Sequence, residues 1–332
     1  MIVTMNGSQA VNSNYIFSYV CSYGIIWKAV KQNALAGMVK KEETDLDTYK
    51  TKRYAYTYED YENDKGAAEL IKEIMEDPEL DSLTEVVVGS WGNAWEENCQ
   101  ELLNGITEHA DCFSHIEKLF IGDMDFEDCE VSWIMQGDYS KLWAALPNLK
   151  ELAIQGSTDL ELGEICHEKL ESLEIICGGL PKNVIASIRD AKLPNLKKLL
   201  LYIGIEDYGF DGDTDTIKEL LEKSDFPNLT YLGIVDSEIQ DEITEIVLNS
   251  KYMNQIEVLD LSNGTLTDKG GELLLENLPK YPNVKELDAH YNYLSDEMVE
   301  KLNQLSITTD VSENNEVEEY DGEIYMYPMM TE

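Results

Sequence analysis

Positive charge is what this 332-residue sequence has least of. Arginine occurs only at Arg53 and Arg189, and Lys plus Arg number 25 against 66 Asp plus Glu, a formal net charge of −41. A nucleic-acid binder needs a cationic footprint to displace phosphate counterions, so that class is excluded. Anionic membrane surfaces are disfavoured for the same reason. Long apolar runs are also missing. The longest early one, "YIFSYVCSYGIIW" at 15–27, is too short to span a bilayer. It has no Lys or Arg before it and no small-residue cleavage site after it, so it does not read as a signal peptide. The expected location is the cytoplasm. Cysteine is sparse, at 21, 99, 112, 129, 166 and 177, and never in C-x-x-C. That is not the density of a disulfide scaffold, and reduced, mostly buried thiols are expected. Histidine occurs four times, and neither a Gly-x-Ser-x-Gly elbow nor a Gly-rich phosphate loop is present. Carboxylates are too numerous for one pair to stand out as a general acid/base couple. The expectation is a protein that is not an enzyme, with no catalytic residues and no cofactor.

What is present is a 43% hydrophobic content, enough for a core, and a repeat. "LPNLKELAIQG" (146–156), "LPNLKKLLLYI" (193–203), "FPNLTYLGIVD" (226–236) and "YPNVKELDAHY" (281–291) share one pattern, and its core recurs in "IEVLDLSNG" (256–264), "LESLEII" (170–176), "IEKLFIG" (116–122) and "LTEVVVG" (83–89). The first apolar anchors are Leu83, Ile116, Leu149, Leu170, Leu196, Leu229, Ile256 and Val284, spaced by 33, 33, 21, 26, 33, 27 and 28. This is the leucine-rich repeat signature L-x-x-L-x-L, with insertions. Alternate strand residues point to opposite faces, so Leu152 and Ile154 point inward together. Helical spacing follows in Ile217, Leu220, Leu221; Ile243, Ile246, Val247; Leu273, Leu274, Leu275; and Met298, Leu302, Leu305. The predicted fold class is α/β, a solenoid with a curved parallel sheet on the concave side and helices on the convex side. Such units bury a core only by stacking, so one elongated domain is expected despite a length that suggests about two. The expected divisions are a non-repeat segment and cap at 1–65, eight to nine repeats at 66–312, and an acidic tail or cap at 313–332. Within these, "YAYTY" (54–58) reads as a capping strand, "GAAELIKEIMEDPEL" (66–80) as a first helix and "ITTDVSENN" (307–315) as a weak last unit.

The stretches "VVGSWG" (87–92), "SWIMQGDYS" (132–140), "GGLP" (178–181), "EDYGFDGD" (206–213), "DSEIQDEI" (236–243), "VLDLSNGTLTDKGGELLL" (258–275), "YLSDEMVEKL" (293–302) and "DVS" (310–312) carry a resemblance. From about residue 85 onward the chain resembles a bacterial family of cytoplasmic leucine-rich repeat proteins with ribonuclease-inhibitor-like architecture. The resemblance implies a non-catalytic scaffold. Members tend to be encoded near radical-SAM and ATP-grasp enzymes, which implies a helper in a modification pathway. It supplies no functional residues.

Three motifs invite chemistry. "DGDTDTIKELLE" (211–222) places Asp211, Asp213, Asp215, Glu219 and Glu222 at positions 1, 3, 5, 9 and 12 of a calcium-type loop. Its sixth position is Thr216 where Gly is needed, and Thr216 with Glu219 spells a capping box, so an acidic helix start is the better reading. Cys99, His109, Cys112 and His115 offer zinc ligands in a spacing that matches no common finger. No metal site is expected from either. Trp91, in "GSWGNAWEEN", is a candidate for the concave edge, and Tyr208 and Phe210 are candidates for a rim loop.

On the concave face, Ile176, Leu200, Tyr202, Tyr231, Val235 and Val258 are expected to form an apolar, aromatic middle. Asp260, Glu286, Asp288 and His290 are expected to form an acidic end. Such a patch marks a binding site, with Tyr as anchor. The expected function is therefore capture of a protein or peptide, of basic character. The alternatives are a structural subunit of a multienzyme assembly and a metal-assisted hydrolase.

Overall fold

The computed structural model describes residues 50–320 and 323–330. All described residues belong to one compact unit, Asp47–Glu332. The expectations about residues 1–49 lie outside the described residues.

Ten strands form one open, all-parallel sheet in sequence order: β1 (Thr51–Tyr56), β2 (Glu85–Trp91), β3 (Lys118–Ile121), β4 (Glu151–Gln155), β5 (Ser172–Ile176), β6 (Lys198–Gly204), β7 (Tyr231–Ser237), β8 (Val258–Asp260), β9 (Glu286–Asp288) and β10 (Thr308–Asp310). The eight strands expected from the anchors are β2 to β9, each starting two residues after its first anchor. The register stacks like on like: Val86, Leu119, Leu152, Leu173, Leu199, Leu232, Leu259 and Leu287 stand in one row across the sheet. All eight are buried in one continuous core. Every repeat thus completes its neighbour's hydrophobic contacts, which is the arrangement of a leucine-rich repeat solenoid.

The Pro-Asn of the repeat has a structural role. The Asn148 side chain donates to the Ser114 carbonyl (2.7 Å), Asn195 to Glu168 (2.7 Å), Asn228 to Pro194 (2.8 Å) and Asn283 to Ile256 (2.6 Å). Each amide satisfies a carbonyl of the preceding turn, so the motif welds adjacent repeats.

Helices line one face: α1 (Tyr58–Glu62), α2 (Ala67–Glu76), α3 (Gln100–Glu108), α4 (Ala110–Phe113), α5 (Leu142–Ala145), α6 (Lys182–Arg189), α7 (Thr214–Lys223), α8 (Gln240–Leu248), α9 (Asp268–Asn277) and α10 (Asp296–Leu302). Ile217, Leu220 and Leu221 are buried, as are Ile243, Val247, Leu274, Met298 and Leu302. Ile246, Leu273, Leu275 and Leu305 are only partly buried against the same core. Between β4 and β5 no helix forms. That repeat is the shortest, and isolated bridges such as Met135 to Thr158 and Asp138 to Glu161 replace the helix layer.

At the N-terminal edge of the sheet, β1 pairs in parallel with β2, so residues 51–56, which include part of the expected capping strand, belong to the sheet. At the other end, β11 (Glu318–Tyr320) and β12 (Glu323–Tyr325) form an antiparallel hairpin. The chain then runs on to Met330, which is buried. No helix among the described residues is long and apolar enough to cross a membrane.

Candidate functional site

The sheet face opposite the helices carries the residues between the core anchors. Its central row holds Gly233 beside Asp260, Asp260 beside Asp288, and Asp288 beside Asp310, all in Cα register. Three carboxylates on neighbouring strands repel one another, and like charges directly opposite in a sheet are destabilising. The local sequence offsets this in the same way three times. Asp260 Oδ1 accepts from the Ser262 hydroxyl (2.7 Å) and amide (3.1 Å). Asp288 Oδ1 accepts from His290 Nδ1 (2.5 Å) and the His290 amide (3.2 Å). Asp310 Oδ1 accepts from the Ser312 hydroxyl (2.6 Å) and amide (3.2 Å). Each strand therefore ends in an Asp-x-Ser or Asp-x-His turn that ties up one oxygen per carboxylate.

Tyr231 closes the strip from the other side. Its hydroxyl donates to Asp260 Oδ2 (2.5 Å). Gly233 permits this approach: a Cβ there would lie 2.4 Å from Leu200 Cδ1 and 3.3 Å from the Tyr231 ring. Lys198 Nζ sits 4.8 Å from the Tyr231 ring centroid and pairs with Glu174 (2.8 Å), which also accepts from Ser172 (3.2 Å). The polar strip therefore crosses from β5 to β10. Asp260 is buried, Asp288 half-buried and Asp310 exposed.

Protonation follows from this geometry. Burial, then the charge of Asp260, pushes the Asp288 carboxyl up to about 6, against the opposing pull of His290. Burial alone would lower the pKa of His290. The hydrogen bond and charge of Asp288, with Asp260 and Asp310 behind it, outweigh that and raise it above the usual histidine range. Burial, reinforced by Asp260, holds the Tyr231 phenol well above its ordinary range, so it remains a donor. The chemistry on offer is a negative strip that shares protons between Asp288 and His290. The ligand atoms of Asp288, His290 and Asp310 lie within 4.8 Å of one another, the one such grouping of three or more metal-capable side chains among the described residues.

Of the expected site residues, Tyr231, Asp260, Asp288 and His290 come together here, with Glu286 exposed at the neighbouring position of β9. Val258 is partly exposed beside Tyr231. The expected apolar middle is not an exposed patch: Ile176, Leu200, Tyr202 and Val235 are 6% exposed or less. Trp91 is not at an edge. It ends β2 fully buried, and its indole N–H donates to the Glu97 carbonyl (2.7 Å). Tyr208 is partly buried. Phe210 is buried and anchors its loop. Sequence reasoning passed over Asp310, although "LDLS", "LDAH" and "TDVS" repeat the same Asp-x-Ser/His signal.

The two metal-like motifs resolve differently. Asp211 Oδ1 accepts from the amide of Lys182, at the start of α6 (2.7 Å). Asp213 caps α7, taking the Thr216 amide (2.9 Å) in a reciprocal capping box. The cap is therefore Asp213 with Thr216 three residues on, and not Thr216 with Glu219. Glu219 leaves along the helix to Lys223 (2.9 Å) and Arg189 (3.3 Å). The Cys99 thiol meets Gln136 (3.3 Å), and His115 Nε2 meets the Leu80 carbonyl (3.0 Å), so these ligands do not converge.

No protein-family model and no curated protein matches the chain. Among solved structures, the crystal structure of a Bacteroides fragilis protein, a structural genomics target, is similar at 39% identity and a TM-score of 0.78. The match covers 92% of this chain and 86% of that one. The chain belongs to the family of that protein. At this identity and coverage, the family shares the stacked parallel sheet described above.

Proposed function

We propose that this family member is a non-catalytic leucine-rich repeat module that binds a basic protein or peptide segment on the sheet face opposite its helices. The carrying observation is the in-register run of Asp260, Asp288 and Asp310, flanked by Tyr231, Glu286 and His290. One oxygen of each aspartate is committed to its own turn. The second oxygens of Asp288 and Asp310 are available to a Lys or Arg side chain. The overall charge of −41 steers such a partner toward the molecule. A helper role beside modification enzymes is in keeping with a module of this kind.

The test is binding of a fluorescent deca-lysine peptide at low and high salt, about 0.02 and 0.3 M. Binding should weaken with salt and should fall further in an Asp288→Asn/Asp310→Asn double variant. No binding at low salt, or binding indifferent to the double substitution, would sink this reading.

A further inference from the structure

We propose that the groove over the carboxyl ends of β7 to β9 is a second, peptide-binding site, filled in this structure by the chain's own C-terminal segment and open to an extended peptide of like chemistry when that segment leaves. It adjoins the acidic strip, since Asn263 Nδ2 donates to the Ser262 hydroxyl (3.0 Å), but it does not rest on the reading above.

The segment after β12 is held as a bound peptide is held. The Tyr327 amide donates to the Tyr293 hydroxyl (3.0 Å), which donates to the Tyr327 carbonyl (3.1 Å). The Met329 amide donates to the Asn263 carbonyl (2.9 Å). The Met330 amide donates to Asp236 Oδ1 (2.8 Å), across 94 residues of sequence. Met329 Sδ accepts from Asn315 (3.2 Å). Met330 is 2% exposed and Asp236 is completely buried. Backbone donors on fixed acceptors, with an apolar side chain in a pocket, is how extended peptides are recognised.

Two observations separate this from a permanent cap. First, the groove has an acceptor that the segment does not use: Asn263 Oδ1, on the residue whose carbonyl holds the Met329 amide, is buried and without a hydrogen-bond partner. Asp236, near the end of β7, and Asn263, just after β8, both have left-handed backbone, at φ 56° and 64°. A buried, unpaired acceptor is costly, so an occupant bringing one more donor fits better than the resident segment does. Second, the connection to the last repeat runs through Glu316, Glu318, Glu319, Asp321 and Glu323. Five carboxylates on a chain of charge −41 favour release of this segment. The partner chemistry is therefore an extended peptide with a methionine-like apolar residue, consecutive free amides, and a side-chain donor.

The experiment uses the full chain and Met330→Asp, which places a charge in the apolar pocket beside Asp236. Hydrogen exchange reads protection of residues 324–330. Fluorescence anisotropy reads binding of a labelled peptide spanning Tyr325–Met330. The unaltered chain should protect its C-terminal segment. Met330→Asp should lose that protection and bind the peptide about tenfold more tightly or better, because a tethered competitor acts at an effective concentration of order millimolar. The same peptide carrying Met330→Asp should not bind. Free exchange of the segment in the unaltered chain would overturn the proposal, as would retained protection in the variant. So would a released segment without peptide binding, or equal binding of the two peptides.

Discussion

Asp288→Asn tests the electrostatics of the strip most directly. The carboxyl stands at about 6 in the folded chain against an ordinary 3.8, because it is buried beside Asp260. Its side chain is 26% exposed, so solvent screens it only in part. Between these two pH values the folded chain keeps a proton that the unfolded chain has lost. Unfolding free energy therefore falls as pH rises through this window, and the cost is complete above about pH 6. The displacement corresponds to about 2–3 kcal/mol, with the pull of His290 already included. Asparagine keeps the shape and carries no charge. The variant should thus gain about 2–3 kcal/mol on the unaltered chain between about pH 4 and about pH 7.5. Urea unfolding of both chains at the two pH values measures this, and the difference between chains cancels charge effects common to both. An equal difference at both pH values, or a variant that loses ground at the higher pH, would refute the reasoning.

Three further outcomes follow from named contacts. Leu232→Ala removes a fully buried member of the central core row and should cost about 2–5 kcal/mol in urea unfolding; less than about 1 kcal/mol would mean the row does not bear the stacking. Tyr231→Phe strips Asp260 Oδ2 of its hydroxyl donor and should cost about 1–3 kcal/mol, a prediction that unchanged stability would defeat. Asp213→Ala removes the cap of α7 and should cost about 0.5–2 kcal/mol, seen as faster amide exchange at the first turn of that helix and not elsewhere.

The sheet was legible in the sequence because stacking makes one constraint repeat. Leu152, Leu173, Leu199, Leu232 and Leu259 occupy equivalent positions, and each anchor confirms the next. What periodicity could not show was the use made of side chains between the anchors. Leu200 and Tyr202 alternate with core residues and so read as surface, yet both are 5% exposed. Alternation gives the face a side chain points to and not what else covers that face. Trp91 was misplaced because flanking glycines suggest a turn, whereas β2 extends through the tryptophan. The helix start at Asp213 was shifted by three residues because Asp213, Thr216 and Glu219 are themselves spaced by three, so two capping boxes fit the same string. The link from Met330 to Asp236 carries no local signal, since it depends on a chain end returning across three strands.

The aspartate run bears on why the strip exists. A sheet selected for stability alone would not align three carboxylates, because Asn, Ser or Thr could close the same turns without repulsion. Asp310 shows this best: its turn with Ser312 needs only one acceptor oxygen, yet the residue is an aspartate at an exposed position beside Asp288. The molecule offsets part of the cost with the Tyr231 hydroxyl and the raised affinity of His290 for a proton. What remains is negative potential concentrated where the surface is open, between β8 and β10. Residual cost of this kind, kept beside an otherwise consistent repeat, is where binding is expected to reside. A basic partner would offset it by pairing with the oxygens that the turns leave free.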